Sequence, residues 1–130
     1  MHVCRTLDYI VNTDLHLYFF IKFDEARSKG IQVEIELTEP IMYLPIDSKE
    51  YINIVDLVLD DVIEGIAGSS EKKLNFYIFY ACGEMHLVIE YSADRKYSCK
   101  VLDKALKKYK NAHLYTTIQG TLMRQHLVVK

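Results

Sequence analysis

The sequence predicts an α/β (α+β) two-layer sandwich, with a mixed, largely antiparallel sheet of about five strands and three helices on one face. Three observations lead there. Ile31 to Leu37 alternates apolar and polar residues strictly, the period of a strand with one wet face. Two pairs of runs rich in aromatic and β-branched residues are each split by a glycine-containing turn, at Cys82-Gly83 and at Gln119-Gly120, and read as hairpins. Three segments with helical apolar spacing precede or separate these strands.

From Asn12 to Lys29, Leu15, Tyr18, Phe19 and Ala26 recur at helical spacing, and Gly30 supplies a left-handed stop. Within this helix the apolar run from Leu15 to Phe23 is cut by His16 and Lys22. Pro40 and Pro45 bracket an extended segment around Ile41 to Leu44. Asp47, with Glu50 three residues on, starts the next helix like a capping box. Its apolar stripe is Tyr51, Val55, Val58, Leu59, Val62, Ile63 and Ile66, and it ends near Gly68. Asn53, Asp56, Asp60 and Glu64 fall on the opposite face, with Asp61 at the edge of the stripe. Leu74 to Ala81 and Glu84 to Tyr91 form the first hairpin. Cys99 to Lys110 reads as a helix with Val101, Leu102, Ala105, Leu106 and Tyr109 on its apolar side. His113 to Ile118 and Leu122 to Val129 close the chain as the second hairpin.

With 130 residues, half of them hydrophobic and 26% charged, the chain is expected to be one domain over residues 1–130 with a real core. A formal net charge of −2 offers no global field to recruit nucleic acid or anionic lipid. Cys4, Cys82 and Cys99 are odd in number and lack a C-x-x-C spacing, so free thiols and a cytoplasmic location are expected. No apolar run approaches the roughly 20 residues that span a bilayer, and no signal peptide opens the chain.

The stretch Leu59-Asp60-Asp61-Val62-Ile63-Glu64-Gly65 resembles the Leu-Asp-Asn-Ala-Ile-Glu-Ala signature of the ATP-binding domain in Agr-type, peptide-pheromone receptor histidine kinases of the GHKL superfamily. Lys22, Ala26 and Lys29-Gly30-Ile31 are similar to the family's first helix and its exit into a strand. Lys108-Tyr109-Lys110-Asn111, Thr116 and Gln125-His126-Leu127 look like its closing helix and hairpin. The resemblance implies binding of ATP and Mg²⁺, with Asp61 on the metal, assisted by Asp60 or Glu64 through water. It also implies a γ-phosphate presented to a histidine on a dimerised helix pair. The partners it implies are a second copy or a kinase-type dimerisation partner, and a response regulator. A membrane would be met only through a receptor segment.

The chain departs from the family pattern at three places. Asp61 replaces the metal-binding Asn, keeping an oxygen for a hard cation but losing the amide donor and adding charge. Tyr91 stands where the family usually has Asn. The interval Ala93 to Ser98 contains no glycine, whereas the family's glycine boxes let backbone N–H groups approach phosphates. A degenerate nucleotide site is therefore expected, with weak or absent ATP binding, a scaffolding role, and a short ordered loop in which Tyr97 folds against the adenine position.

The remaining signals are weaker. Asp56, Asp60 and Glu64 could hold a metal, but a solvated acidic helix face is the commoner arrangement. Asp61 is balanced between a relic cation ligand and a plain polar edge residue. Lys100, Lys104, Lys107, Lys108 and Lys110 form a stripe that reads as a solvated face, because no RNA-binding signature accompanies it. The histidines show no zinc spacing, and no nucleophile motif occurs. The alternative function is a small protein-interaction module of α/β sandwich shape with no kinase activity.

Overall fold

A computed structural model describes residues 3–93 and 100–130. Its order is α1 (Thr13–Ser28), β1 (Gln32–Glu36), α2 (Ser48–Ala67), β2 (Lys73–Ala81), β3 (Glu84–Ser92), α3 (Lys100–Leu106), β4 (Ala112–Gln119) and β5 (Leu122–Val129), with a short 3-10 turn at Leu7–Tyr9 before α1. The five strands form one sheet in the order β1-β2-β3-β5-β4. β1 pairs with β2 in parallel through the α2 crossover, and every other pairing is antiparallel. The expected mixed sandwich is the observed fold.

Local chemistry sets the helix ends. The Asn12 side chain accepts the Leu15 N–H at 3.1 Å, and Asp47 accepts from Lys49 and Glu50. α1 ends in a Schellman motif: Gly30 (φ +82°) donates to Arg27, and Ile31 donates to Ala26 at 3.1 Å. Buried Ile31 and Ala26 supply the apolar contact that accompanies this motif. The first hairpin turns on Cys82 and Gly83, both at positive φ, as a type I′ turn demands. Cys82 is the one non-glycine residue in that region among the described residues.

The alternation of β2, β3 and β5 sends Phe76, Ile78, Leu87, Ile89 and Leu127 under the helices. Phe19 and Phe23 of α1 meet Phe76 edge-on with ring centroids 4.9 and 5.0 Å apart, which seals the α1 side of the core. The stripe expected on α2 is buried in full, joined by Ile54 and Gly65. The last helix is shorter than expected. It stops at Leu106 rather than Lys110, because the chain tightens into turns in which Tyr109 donates to Leu106 and Ala112 to Tyr109. The expected start at Cys99 and the loop at 94–98 with Tyr97 lie outside the described residues. No helix in the described residues is long and apolar enough to cross a membrane.

Candidate functional site

The motif residues of α2 do not converge on one place. Asp60 turns toward α1, Asp61 lies at the edge facing the end of β3, and Glu64 is exposed to solvent. Helical geometry separates them: consecutive residues differ by about 100° around the axis, so Asp60 and Asp61 serve different neighbours.

On the Asp61 side the central residue is Tyr91, on the helix-facing side of β3 and only 2% exposed. Its ring packs against α2 at Gly65, where a Cβ would stand 3.7 Å from Tyr91 Cε2. Fully buried Gln125 donates from Nε2 to the Tyr91 hydroxyl at 3.2 Å, while its Oε1 accepts from the Thr116 hydroxyl at 2.7 Å. A polar relay thus runs beneath the helices from β4 through β5 to β3. Burial pushes the Tyr91 phenol up to about 12, against the pull of the Gln125 donor and with a further push from the Asp61 carboxylate.

On the other side of α2 sits a group that the sequence presents only as a break in an apolar run and as part of the family-like first helix. Lys22 of α1 is only 7% exposed, and its Nζ reaches Asp56 Oδ1 at 3.0 Å and Asp60 Oδ1 in a direct ion pair. The Tyr18 hydroxyl donates to the same Asp56 oxygen at 2.7 Å. Burial alone would lower the Lys22 ammonium, but its bonds to Asp60 and Asp56 prevail and raise it. Burial likewise opposes the Asp56 charge, yet Tyr18 and Lys22 hold that carboxyl below its ordinary value. The acidic face of α2 is therefore, at Asp56 and Asp60, the dock for α1. The signal was present: Phe19, Lys22, Phe23 and Ala26 share the i, i+3, i+4, i+7 stripe, so a lysine on it requires a carboxylate opposite.

Among the described residues, no three His, Cys, Asp or Glu side chains converge as a protein-built metal cage would require.

No protein-family model matches the chain, and no curated protein is detectably similar to it in sequence. Solved structures do match its fold. Histidine kinase AdeS of Acinetobacter baumannii superposes with a TM-score of 0.65 at 12% identity, over 100% of this chain and 68% of that one. The catalytic domain of histidine kinase ThkA gives a TM-score of 0.67 at 9% identity, over 99% of this chain and 96% of that domain. This chain has the fold of a histidine kinase catalytic domain. The longer ThkA chain solved in complex with the response regulator TrrA matches with a TM-score of 0.68 at 9% identity, over 92% of this chain and 40% of that one. Identities this low carry the architecture and nothing finer.

Proposed function

We propose that the chain is the ATP-binding-type domain of an Agr-like sensor histidine kinase, with a degenerate nucleotide site and a scaffolding role. The observation that carries this reading is Tyr91. In a kinase-type fold, nucleotide would lie between the motif helix and the end of the third strand. The buried phenol on Gly65, held by Gln125, supports the reading that bulk fills that place in this chain.

ATP and Mg²⁺ fit these residues poorly. The Tyr91 ring brings apolar bulk where the family carries a short amide, and Asp61 sets a carboxylate where anionic phosphate would approach. Asp60, the expected water-mediated helper, is committed to Lys22. Glu64 is solvated on the far face. In this reading the residues with a defined task are those that dock elements together, Lys22, Asp56 and Asp60 foremost. The partners this reading implies are a kinase-type dimerisation partner and a response regulator, at the cytosolic side of a membrane.

Titration with a fluorescent ATP analogue in the presence of Mg²⁺ tests the reading. The expected dissociation constant is weaker than about 1 mM, or about 4 kcal/mol. Saturable micromolar binding would overturn it.

A further inference from the structure

The sheet has two edges, and they are built differently. β1 is five residues long and carries Glu34 and Glu36, and an antiparallel bridge between Cys4 and Leu37 follows it. Short length and charge are ordinary protections against edge-to-edge pairing. β4, at the other edge, has none of these. Its eight residues, Ala-His-Leu-Tyr-Thr-Thr-Ile-Gln, include no charged side chain, no proline and no glycine, and its register with β5 runs unbroken from Ala112 to Gln119. Tyr115 is 58% exposed and Ile118 57% exposed, so apolar surface accompanies the open backbone.

The turn fixes which backbone groups are free to pair. Gln119 and Leu122 flank the two-residue loop at Gly120 (φ +65°) as a hydrogen-bonded pair. Alternation then points the N–H and C=O of Leu114, Thr116 and Ile118 away from β5. Among the described residues nothing hydrogen-bonds to these groups. α3 and the turn after it meet the first half of β4, Ala112 to Tyr115, where Asp103 of the helix and Lys107 just past it carry opposite signs.

We infer that β4 is a self-pairing edge: two copies of this chain join antiparallel through β4 about a twofold axis at Thr116, making one continuous sheet. The strand is complementary to itself in this register. Leu114 faces Ile118 of the second copy, Thr116 faces its own counterpart, and Tyr115 faces Thr117. Apolar and threonine cross-strand pairs are favourable, and no like charges meet. The same operation on β1 would bring glutamates together. A second copy is favoured over a foreign strand because the match needs no residue from outside this sequence. Roughly six backbone hydrogen bonds form, two for each of the pairs exchanged between outward-facing residues. The interface is small, below about 1,200 Å², so association in the micromolar range is expected. The inference does not rest on the nucleotide reading, and either can fail alone.

Sedimentation equilibrium over a concentration series, paired with amide hydrogen exchange, tests it. A monomer–dimer equilibrium is expected, with the Leu114, Thr116 and Ile118 amides gaining protection as concentration rises. Ile118→Lys alters an exposed position that meets the partner twice, and should weaken association at least about tenfold. Gln32→Lys on the opposite edge should leave association unchanged. A chain monomeric at about 1 mM would overturn the inference. So would a dimer indifferent to Ile118→Lys, or one that leaves those amides unprotected. Protection appearing only on addition of an extended foreign peptide would replace the second copy with strand donation by a partner.

Discussion

Lys22 allows a sharp test, because the two halves of its ion pair are buried unequally. The lysine side chain is 9% exposed, whereas Asp56 is 44% exposed and Asp60 60% exposed. Lys22→Met keeps the aliphatic stem and removes the ammonium. The two carboxylates left behind can still be hydrated, so the loss should be about 1–2 kcal/mol, the net value of charge-assisted hydrogen bonds in a half-wet setting. Lys22→Ala also removes three methylenes of buried stem at about 0.8 kcal/mol each, for a total of about 3.5–4.5 kcal/mol. The reverse perturbation, Asp56→Asn with Asp60→Asn, leaves a buried ammonium with two neutral amides and only the more distant, half-exposed Glu25 carboxylate at 3.8 Å. Removing the partners of a buried charge costs about 3–5 kcal/mol, so the double acid variant should be clearly less stable than Lys22→Met. Urea unfolding at neutral pH measures all three. Lys22→Met falling below the double acid variant in stability would refute the argument, as would a full series within about 0.5 kcal/mol of the parent. The pH dependence has a fixed sign. Asp56 is depressed in the folded state, so its contribution is complete above its unfolded value and disappears as pH falls through the folded one. Lys22 is raised, so its share is complete below its unfolded value and is lost as pH rises through the folded one.

Tyr91, with its phenol pushed up to about 12, should cost stability as pH climbs from about 10 to that value, since the unfolded chain ionises first. Nuclear magnetic resonance of isotope-labelled tyrosine rings should show Asp61→Asn bringing that titration down, and an unmoved value would separate Asp61 from Tyr91. Tyr91→Phe removes an acceptor from buried Gln125 and should cost about 1–3 kcal/mol in urea unfolding. Gly65→Ala places a methyl at ordinary contact distance from Tyr91 in mid-helix, so it should raise stability by about 0.5–1 kcal/mol. A thermal melt that falls instead would mean that the ring tolerates no neighbour there.

Where the sequence reading succeeded, the information was local. Alternation from Ile31, the stripe from Tyr51 to Ile66 and the Gly83 and Gly120 turns each announce an element through a period or a required φ, and each is found within a residue or two of its expected ends. The helix after Cys99 was over-extended because Tyr109 keeps helical spacing, although its side chain packs on the core from a turn. Along the sequence Lys22 is a break in an apolar run, and Asp56 and Asp60 belong to a polar helix face. Their meaning depends on a contact 38 residues apart in sequence, which no window along the chain contains. In sequence Gln125 is only part of a closing motif, yet it is wholly buried and joins three strands through Thr116 and Tyr91. A period-2 pattern places it on the inner face, but only the neighbours on β3 and β4 reveal why an amide is tolerated there.

The strand order carries a consequence for how the chain is made. β5, the last of the five strands in chain order, lies between β3 and β4. Until Leu122 to Val129 have emerged from the ribosome, β3 has β2 on one side and nothing on the other, and β4 has no neighbour at all. A nascent chain halted before that point would expose one edge of β3 and both edges of the uncharged β4, with the aromatic core beneath them partly open. The helices and the β2–β3 hairpin can assemble early through nearby contacts, but closure of the sheet waits on the final strand. Production of this domain should therefore be far more sensitive to interruption near its end than to slow passage through its first half.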